Sequence, residues 1–178
     1  MYRRFPNGTL RAEPTPLSIV SILPTPDGAW IAGGQGVARY LRADDAFLHY
    51  RHDPAESTSL IDDAAITLHR DRRGRLWGGT QSGLSRYDPV SDGFTHYSSA
   101  DGLPSNVVYA IEEDDAGRLW IATNRGLARY DETAADRIRA YTAADGVGNV
   151  EFNRNASFQD ADGTLYFVNN IDPETHLY

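Results

Sequence analysis

Two stretches of this chain, GRLWGGTQSGLSRYD (residues 74–88) and GRLWIATNRGLARYD (residues 117–131), match at most positions without a gap. A third copy, GAWIAGGQGVARY, spans residues 28–40, and a more degenerate fourth, GTLYFVNNIDPETHLY, spans residues 163–178. The aromatic anchors of the four copies are Trp30, Trp77, Trp120 and Tyr166, spaced by 47, 43 and 46 residues. Self-similarity at such a period indicates a tandem array of structural units.

Each repeat divides into four apolar-rich runs separated by turn residues. In the third copy these runs are residues 106–113, 118–123, 126–131 and 137–142. Between the first two runs, an Asp is followed three residues later by a Gly. The Asp side chain caps the local backbone and the Gly supplies a positive φ, which predicts a hairpin. The repeats are predicted at approximately 16–58, 59–102, 103–147 and 148–178.

The second run of each repeat is apolar on both faces, so each sheet needs cover on both sides. Four-stranded sheets that stack radially satisfy this need and protect their edges. We therefore predict an all-β fold, a β-propeller of about four four-stranded antiparallel blades. Residues 1–5 resemble an outer strand and the last copy stops at Tyr178 after its third strand, so residues 1–5 are a candidate closing strand. The array is then a partial propeller, a four-bladed ring or half of an eight-bladed dimer.

Composition narrows the function classes. The net charge of −8 disfavours nucleic acid as a partner, because phosphate binding depends on Lys and Arg clusters. The lack of cysteine excludes disulfides, thiolate metal sites and cysteine nucleophiles. No run of 18 apolar residues is present, so we expect neither a signal peptide nor membrane insertion by this chain. No motif indicates a cofactor.

The stretch LPSNVVYAIEEDDAGRLWIATNRGLARYD (residues 103–131) resembles the two-component regulator propeller repeat, and VEFNRNASFQDADGTLYFVNN (residues 150–170) resembles the terminal repeat of such arrays. The resemblance covers nearly the whole chain. It implies a periplasmic, ligand-sensing propeller, usually of seven blades, ahead of a membrane helix and a histidine kinase or diguanylate cyclase. This chain has about four repeats and no kinase or cyclase segment. The resemblance favours the periplasm, whereas the lack of a signal peptide favours the cytoplasm.

Polar side chains are concentrated on one predicted face. The loops between second and third strands emerge there together with the connections between units, and their amide and guanidinium groups suit a hydroxyl-rich ligand or a peptide edge. The fourth copy also replaces an apolar run with Asn-Arg-Asn beside the central channel, where burial without partners is costly. The candidate ligand-binding residues are Gln35, Gln81, Asn106, Asn124, Arg125, Asn153, Arg154, Asn155 and Asn169.

These features also have structural explanations. Loop residues are polar wherever loops are solvated, and the Asn-Arg-Asn triplet is suited to hydrogen bonds with the backbone of neighbouring blades. His49 and His96 occupy equivalent outer-strand positions and do not form a metal pair. Adjacent carboxylates such as Glu112 and Glu113 lie on opposite faces of a strand, which does not indicate general acid–base catalysis.

The sequence thus predicts a non-catalytic ligand-sensing or ligand-binding propeller module of a bacterial two-component-type signalling protein. Its partner is a small polar, carbohydrate-like ligand or a protein. The alternative is a structural or protein-interaction propeller fragment that self-associates, as a homodimer through exposed blade edges, or completes a larger ring. A propeller lyase or hydrolase would need a convergent His, carboxylate and metal cluster, and the sequence offers no evident one.

Overall fold

The structure, a computed structural model, describes residues 2–4, 10–12, 18–147 and 151–169. Apart from two 3₁₀ turns, Ser99–Asp101 and Ala143–Asp145, the regular structure of these residues is antiparallel β-sheet. It comprises three four-stranded sheets and two two-stranded sheets. The all-β prediction is therefore confirmed.

The first two strands form their own two-stranded sheet. β1 (Tyr2–Arg4) pairs antiparallel with β2 (Leu10–Ala12). Residues 1–5 thus contain a strand, which pairs with the next strand along the chain. The role of residues 1–5 as closing strand of the last unit stays a prediction. Pairing with a neighbouring segment closes a far shorter loop than pairing with the opposite end of the chain. Residues 170–178, including Tyr178, lie outside the described residues.

Each four-stranded sheet is a meander in which consecutive strands are neighbours. The first unit contains β3 (Ile19–Thr25), β4 (Gly28–Gly33), β5 (Gly36–Leu41) and β6 (Ala46–Tyr50). The second unit contains β7 (Ala65–Arg70), β8 (Leu76–Thr80), β9 (Leu84–Asp88) and β10 (Gly93–Tyr97). The third unit contains β11 (Val108–Glu113), β12 (Leu119–Thr123), β13 (Gly126–Tyr130) and β14 (Ile138–Tyr141). The fourth unit is described by β15 (Phe152–Gln159) and β16 (Leu165–Asn169).

An Asp and a Gly shape the hairpin between the first and second strands. In the second unit, Asp71 Oδ1 accepts a hydrogen bond from the Arg75 amide at 2.8 Å. Gly74 adopts φ +81°, a conformation that glycine reaches without steric cost. Asp114 and Gly117, with φ +75°, repeat the arrangement in the third unit. The predicted turn chemistry is confirmed.

The same carboxylates also hold the tryptophan of the following strand. Asp71 Oδ2 accepts hydrogen bonds from Trp77 Nε1 at 2.9 Å and from Arg75 Nε at 2.6 Å. Burial acts to raise the pKa of Asp71, but these hydrogen bonds outweigh burial and hold that pKa below its usual value. Asp114 accepts from Trp120 Nε1 in the same way, at 2.9 Å. This clamp was not predicted from the sequence, although the constant spacing from Asp to Trp is a signal for it.

Aromatic side chains join each unit to the next. The Trp30 ring centroid lies 5.4 Å from that of Tyr50 in its own unit and 4.9 Å from that of Tyr87 in the second unit. Trp77 repeats the contact with Tyr130 of the third unit at 5.0 Å. Such tilted and edge-to-face ring pairs add to the stabilisation from burial. The sheets therefore stack on one another, as the two-sided apolar pattern predicts.

Candidate functional site

The first strands of the units form the inner edge of the array, because β3 contacts β7, β7 contacts β11 and β11 contacts β15. In the first three units this strand carries a β-bulge at the same place. The added residues are Val20, Ile66 and Tyr109. A bulge leaves its extra residue outside the ladder. Unpaired backbone groups therefore recur along the inner edge.

The bulge of the fourth unit is wider and polar. Between Phe152 and Ser157, which both pair with β16, residues 153–156 have no ladder partner. This segment, called the wide bulge below, contains the Asn-Arg-Asn triplet that the sequence singles out. Asn155 adopts φ +50° there, a left-handed conformation that Asn tolerates better than most residues.

The wide bulge contacts the bulges of all three other units. Asn155 Nδ2 donates to the backbone oxygens of Val20, at 3.3 Å, and Ile66, at 3.0 Å. The guanidinium carbon of Arg154 lies 5.6 Å from the ring centroid of Tyr109. Asn155 thus makes the hydrogen bonds to neighbouring backbone that were the structural explanation for the triplet. It also ties the fourth unit to the first two.

A pocket of about 210 Å³, called the inner-edge pocket below, opens beside the wide bulge. Three of its lining residues, Gln81, Arg154 and Asn155, are among the predicted binding residues. Gly34, from a loop between second and third strands, and Ala64, from a connection between units, also line it. The pocket therefore lies on the face that the strand topology predicted.

The polar groups of the inner-edge pocket suit hydrogen bonding. Asn155 Nδ2 is engaged with two carbonyls, so its Oδ1 is the atom that can accept from a ligand. Gln81 supplies both a donor and an acceptor, and Arg154 supplies donors with a positive charge. The remaining lining is mainly backbone and small or apolar side chains of the first two units. The arrangement can orient a small polar molecule.

Two predicted binding residues make local contacts elsewhere on the surface. Gln35 lies in an exposed turn, where its Oε1 accepts from Arg51 at 3.3 Å. Asn106 Oδ1 accepts from the Ser99 amide at 2.7 Å and so holds the 3₁₀ turn that precedes β11. Neither residue lines the inner-edge pocket.

Four further predicted residues lie outside the pocket as well. Arg125 is exposed in the loop after β12, and the neighbouring Asn124 is half-buried. Asn124 Oδ1 has no hydrogen-bond partner within the described part of the chain. Asn153 is half-buried at the start of the wide bulge, and Asn169 ends β16. The structure therefore does not gather the nine predicted residues into one site.

Val20 and Ile66, whose backbone oxygens bind Asn155 beside the pocket, were not predicted from the sequence. A strand with one buried face alternates between apolar and polar residues, whereas an apolar pair begins both of these first strands: Ile19 with Val20, and Ala65 with Ile66. A break in alternation at equivalent places of a repeat is a signal for a bulge that recurs in each unit.

The ionisable groups nearest the inner strands are engaged in contacts between units. Glu112 accepts from Ser157 Oγ of the fourth unit at 2.7 Å, whereas Glu113 accepts from the Arg72 amide of the second unit at 2.7 Å. The expected opposite orientation of these carboxylates is confirmed. Burial lowers the pKa of His69, whose Nε2 lies 4.0 Å from Glu113. Among the described residues, no group of three or more His, Cys, Asp or Glu side chains could hold a metal ion.

Stacked four-stranded meanders, with their first strands gathered at one edge, define a repeat array of the β-propeller class. Residues 102–125 match the family model described as two component regulator propeller. This match confirms the resemblance seen in the third repeat. No curated protein matches the chain.

Solved β-propeller structures share this architecture. The extracellular domain of a putative hybrid two component system from B. thetaiotaomicron superposes with a TM-score of 0.71 at 24% identity, covering 84% of this chain and 20% of that chain. The extracellular domain of a putative one component system from the same organism gives 0.71 at 23% identity, covering 89% and 24%. Virginiamycin B lyase from Staphylococcus aureus gives 0.68 at 15% identity, covering 94% and 55%. The chain spans only part of each relative, and the likeness confirms the propeller fold.

Proposed function

We propose that this chain is a non-catalytic, sensor-type binding module that recognises a small polar ligand in the inner-edge pocket. The observation that carries the proposal is the wide bulge, which brings Arg154 and Asn155 beside Gln81. The match of residues 102–125 to the two component regulator propeller model supports a sensor role. The likeness to extracellular domains of signalling systems supports it further.

The size of the inner-edge pocket limits the ligand. A volume of about 210 Å³ equals the space of roughly seven water molecules at about 30 Å³ each. A single monosaccharide or another polar molecule of similar size is therefore a better match than an oligosaccharide. Its hydroxyl groups would donate to Asn155 Oδ1 and accept from Arg154.

Calorimetric titration with neutral monosaccharides, disaccharides and amino acids tests this proposal. Gln81→Ala should weaken binding about tenfold, because a hydrogen-bonding group is lost from a partly enclosed site. Gln35→Ala is the matched control, since it removes the same side chain from the corresponding region of the first unit, outside the pocket. No binding across the panel, or equal weakening by both variants, would count against the inner-edge pocket.

We also propose that a parent protein displays this module in the periplasm, ahead of a histidine kinase or cyclase domain. The two B. thetaiotaomicron relatives are extracellular domains, which supports this. In the described part of this chain, no helix has the length and apolar character to cross a membrane. Protease treatment of intact spheroplasts should digest the module. Protection until the cells are lysed would contradict the periplasmic location.

A second candidate function is assembly with another copy or a larger ring. Phe158, Tyr166 and Val168 are all at least half exposed and lie on the side of the fourth unit that faces away from the third. Ile22 is half exposed on the first unit. Apolar faces at both ends fit a head-to-tail contact. Sedimentation velocity should then show a dimer that Tyr166→Ser dissociates, whereas a monomer at all concentrations would exclude this function.

A further inference from the structure

A larger cavity, distinct from the inner-edge pocket, lies at the outer edge of the third unit. Its volume is about 810 Å³, within the range of about 300–1,000 Å³ typical of small-molecule sites. It lies between the end of β10 and the turn that joins β13 to β14. Its charged lining residues are Asp101, Arg129, Asp136, Arg137 and Arg139. We call it the arginine cavity.

Two of these arginines are directly opposite each other on neighbouring strands. Arg129 of β13 pairs with Arg139 of β14. Like charges placed directly opposite each other destabilise a sheet. The corresponding arginines of the other units face uncharged residues: Arg39 faces Leu48, and Arg86 faces Thr95. The doubled positive charge is therefore a feature of the third unit and not of the repeat.

Arg129 also differs from its counterparts in its ion pairing. Arg39 Nη2 lies 2.7 Å from Asp27, and Arg86 Nη1 lies 3.7 Å from Glu132 of the next unit. Within residues 18–147 and 151–169, no carboxylate oxygen lies within 4.0 Å of an Arg129 nitrogen. The Nε atom of Arg129 is buried, and it has no hydrogen-bond partner in the same part of the chain. Arg129 therefore lacks the carboxylate partner that Arg39 and Arg86 have.

The carboxylates around the arginine cavity do not neutralise it. Asp131 accepts hydrogen bonds from the amide and hydroxyl of Thr133, which lower its pKa more than the charge of Arg129 does. Asp101 accepts from the amide and hydroxyl of Ser98. Asp136 is exposed in the turn between β13 and β14. The cavity lining therefore carries three arginines against two carboxylates, Asp101 and Asp136, and Asp101 is also engaged with Ser98.

We propose that the arginine cavity binds a small molecule through an oxyanion, that is, a carboxylate, sulfate or phosphate group, held between Arg129 and Arg139. The oxyanion supplies the counter-charge that Arg129 lacks within 4.0 Å and adds negative charge to a lining in which arginines outnumber carboxylates. The planar fork of a guanidinium matches the geometry of such groups. Arg137, at the rim, adds a third positive charge.

Calorimetric titration of the whole chain with sodium sulfate, inorganic phosphate and glucuronate, at ionic strength kept constant with chloride, tests this proposal. We expect at least one of these anions to bind saturably at this site, and we expect glucose not to bind there. Arg129→Gln and Arg139→Thr should each weaken binding at least tenfold, because a charge-assisted hydrogen bond is lost. Arg42→Gln, an exposed arginine of the first unit, should leave it unchanged. Which anion binds most tightly distinguishes a carboxylate from a sulfate or phosphate ligand.

Thermal unfolding provides an independent test. Arg139→Thr installs the residue found at this position in the second unit, so it should raise Tm in chloride alone and abolish the further rise on adding the anion. Asp136→Asn should instead tighten anion binding about twofold or more, because it removes a negative charge near the ligand. Arg139 also lies over the Tyr141 ring, at 4.8 Å from its centroid. If Arg139→Thr lowers Tm in chloride and leaves the response to the anion unchanged, that contact explains Arg139 and the proposal is wrong.

Discussion

Replacing Asp71 by Ala should destabilise the protein more than the same change at equivalent positions. Asp71 is 4% exposed and the Trp77 that it binds is fully buried. The substitution leaves Trp77 Nε1 without its acceptor and removes one of the two ion pairs of Arg75, which keeps the pair with Glu132 at 2.8 Å. A buried unsatisfied donor costs about 1–3 kcal/mol, and breaking a buried ion pair costs about 3–5 kcal/mol. Arg75 is partly exposed and regains water, so we expect a loss of about 3 kcal/mol in the free energy of unfolding.

The repeat supplies matched controls for this prediction. Asp114 binds Trp120, which is half-buried, so Asp114→Ala should cost about 1–2 kcal/mol. Asp160 contacts the hydroxyl of the exposed Tyr166 at 3.2 Å, so Asp160→Ala should cost less than about 1 kcal/mol. Asp71→Asn keeps an acceptor but loses the charge, and its effect should lie between those of Asp71→Ala and the unchanged protein.

Urea denaturation followed by tryptophan fluorescence and circular dichroism measures all four variants. The m-value should stay constant across them, because the surface exposed on unfolding does not change. Equal losses at the three Asp positions, or a loss below about 1 kcal/mol for Asp71→Ala, would refute the reasoning that burial of the Asp–Trp clamp sets its contribution.

Three further outcomes follow from the same packing. A Cβ at Gly78 would make ordinary contacts, whereas one at Gly79 would lie 2.6 Å from Val108 Cγ1. In urea titrations, Gly78→Ala should therefore raise the free energy of unfolding by about 0.5–1 kcal/mol, and Gly79→Ala should lower it by about 1–3 kcal/mol. Burial lowers the pKa of His69 from its usual value of 6.5, so the unfolded chain binds more protons than the folded chain near that pH. The free energy of unfolding should therefore fall as the pH drops from about 7.5 to about 5.5. His69→Gln should flatten this dependence in unfolding titrations at the two pH values, and an unchanged slope would contradict the assignment. Asn155→Gly keeps the left-handed backbone but loses two hydrogen bonds, so it should cost about 1–2 kcal/mol by urea titration. An unchanged free energy of unfolding would contradict a stabilising role for these bonds.

Much of the fold could be predicted from the sequence because its signals are local and repeated. The strands of the third unit begin and end within two residues of the predicted runs. Turn chemistry at Asp71 and Gly74 depends on backbone geometry that a few residues set by themselves. Two-sided apolar strands require stacking, which the Trp30 and Trp77 contacts provide.

The candidate sites could be predicted only in part, because they depend on contacts between distant segments. Gln81 and Asn155 were each predicted as binding residues. That they line the same pocket depends on how far the wide bulge extends across the inner edge, which the sequence does not specify. The pairing of β1 with β2 was not predicted, since a strand-like segment does not specify its neighbour. Arg129 was overlooked because it belongs to the repeated Arg-Tyr pattern, and only its cross-strand partner makes it different.

The hydrogen bonds of Asn155 have a consequence for cooperativity. In a linear stack, each unit is stabilised only by its neighbours, so the terminal units fray independently and hydrogen exchange is fastest at the ends. Asn155 connects the fourth unit to the first across 135 residues of sequence, and to the second across 89. Opening the last unit therefore also releases a contact of the first. We therefore expect the amide protons of the first and fourth units to exchange at similar rates. We also expect the contact that spans the longest stretch of chain to form last during folding.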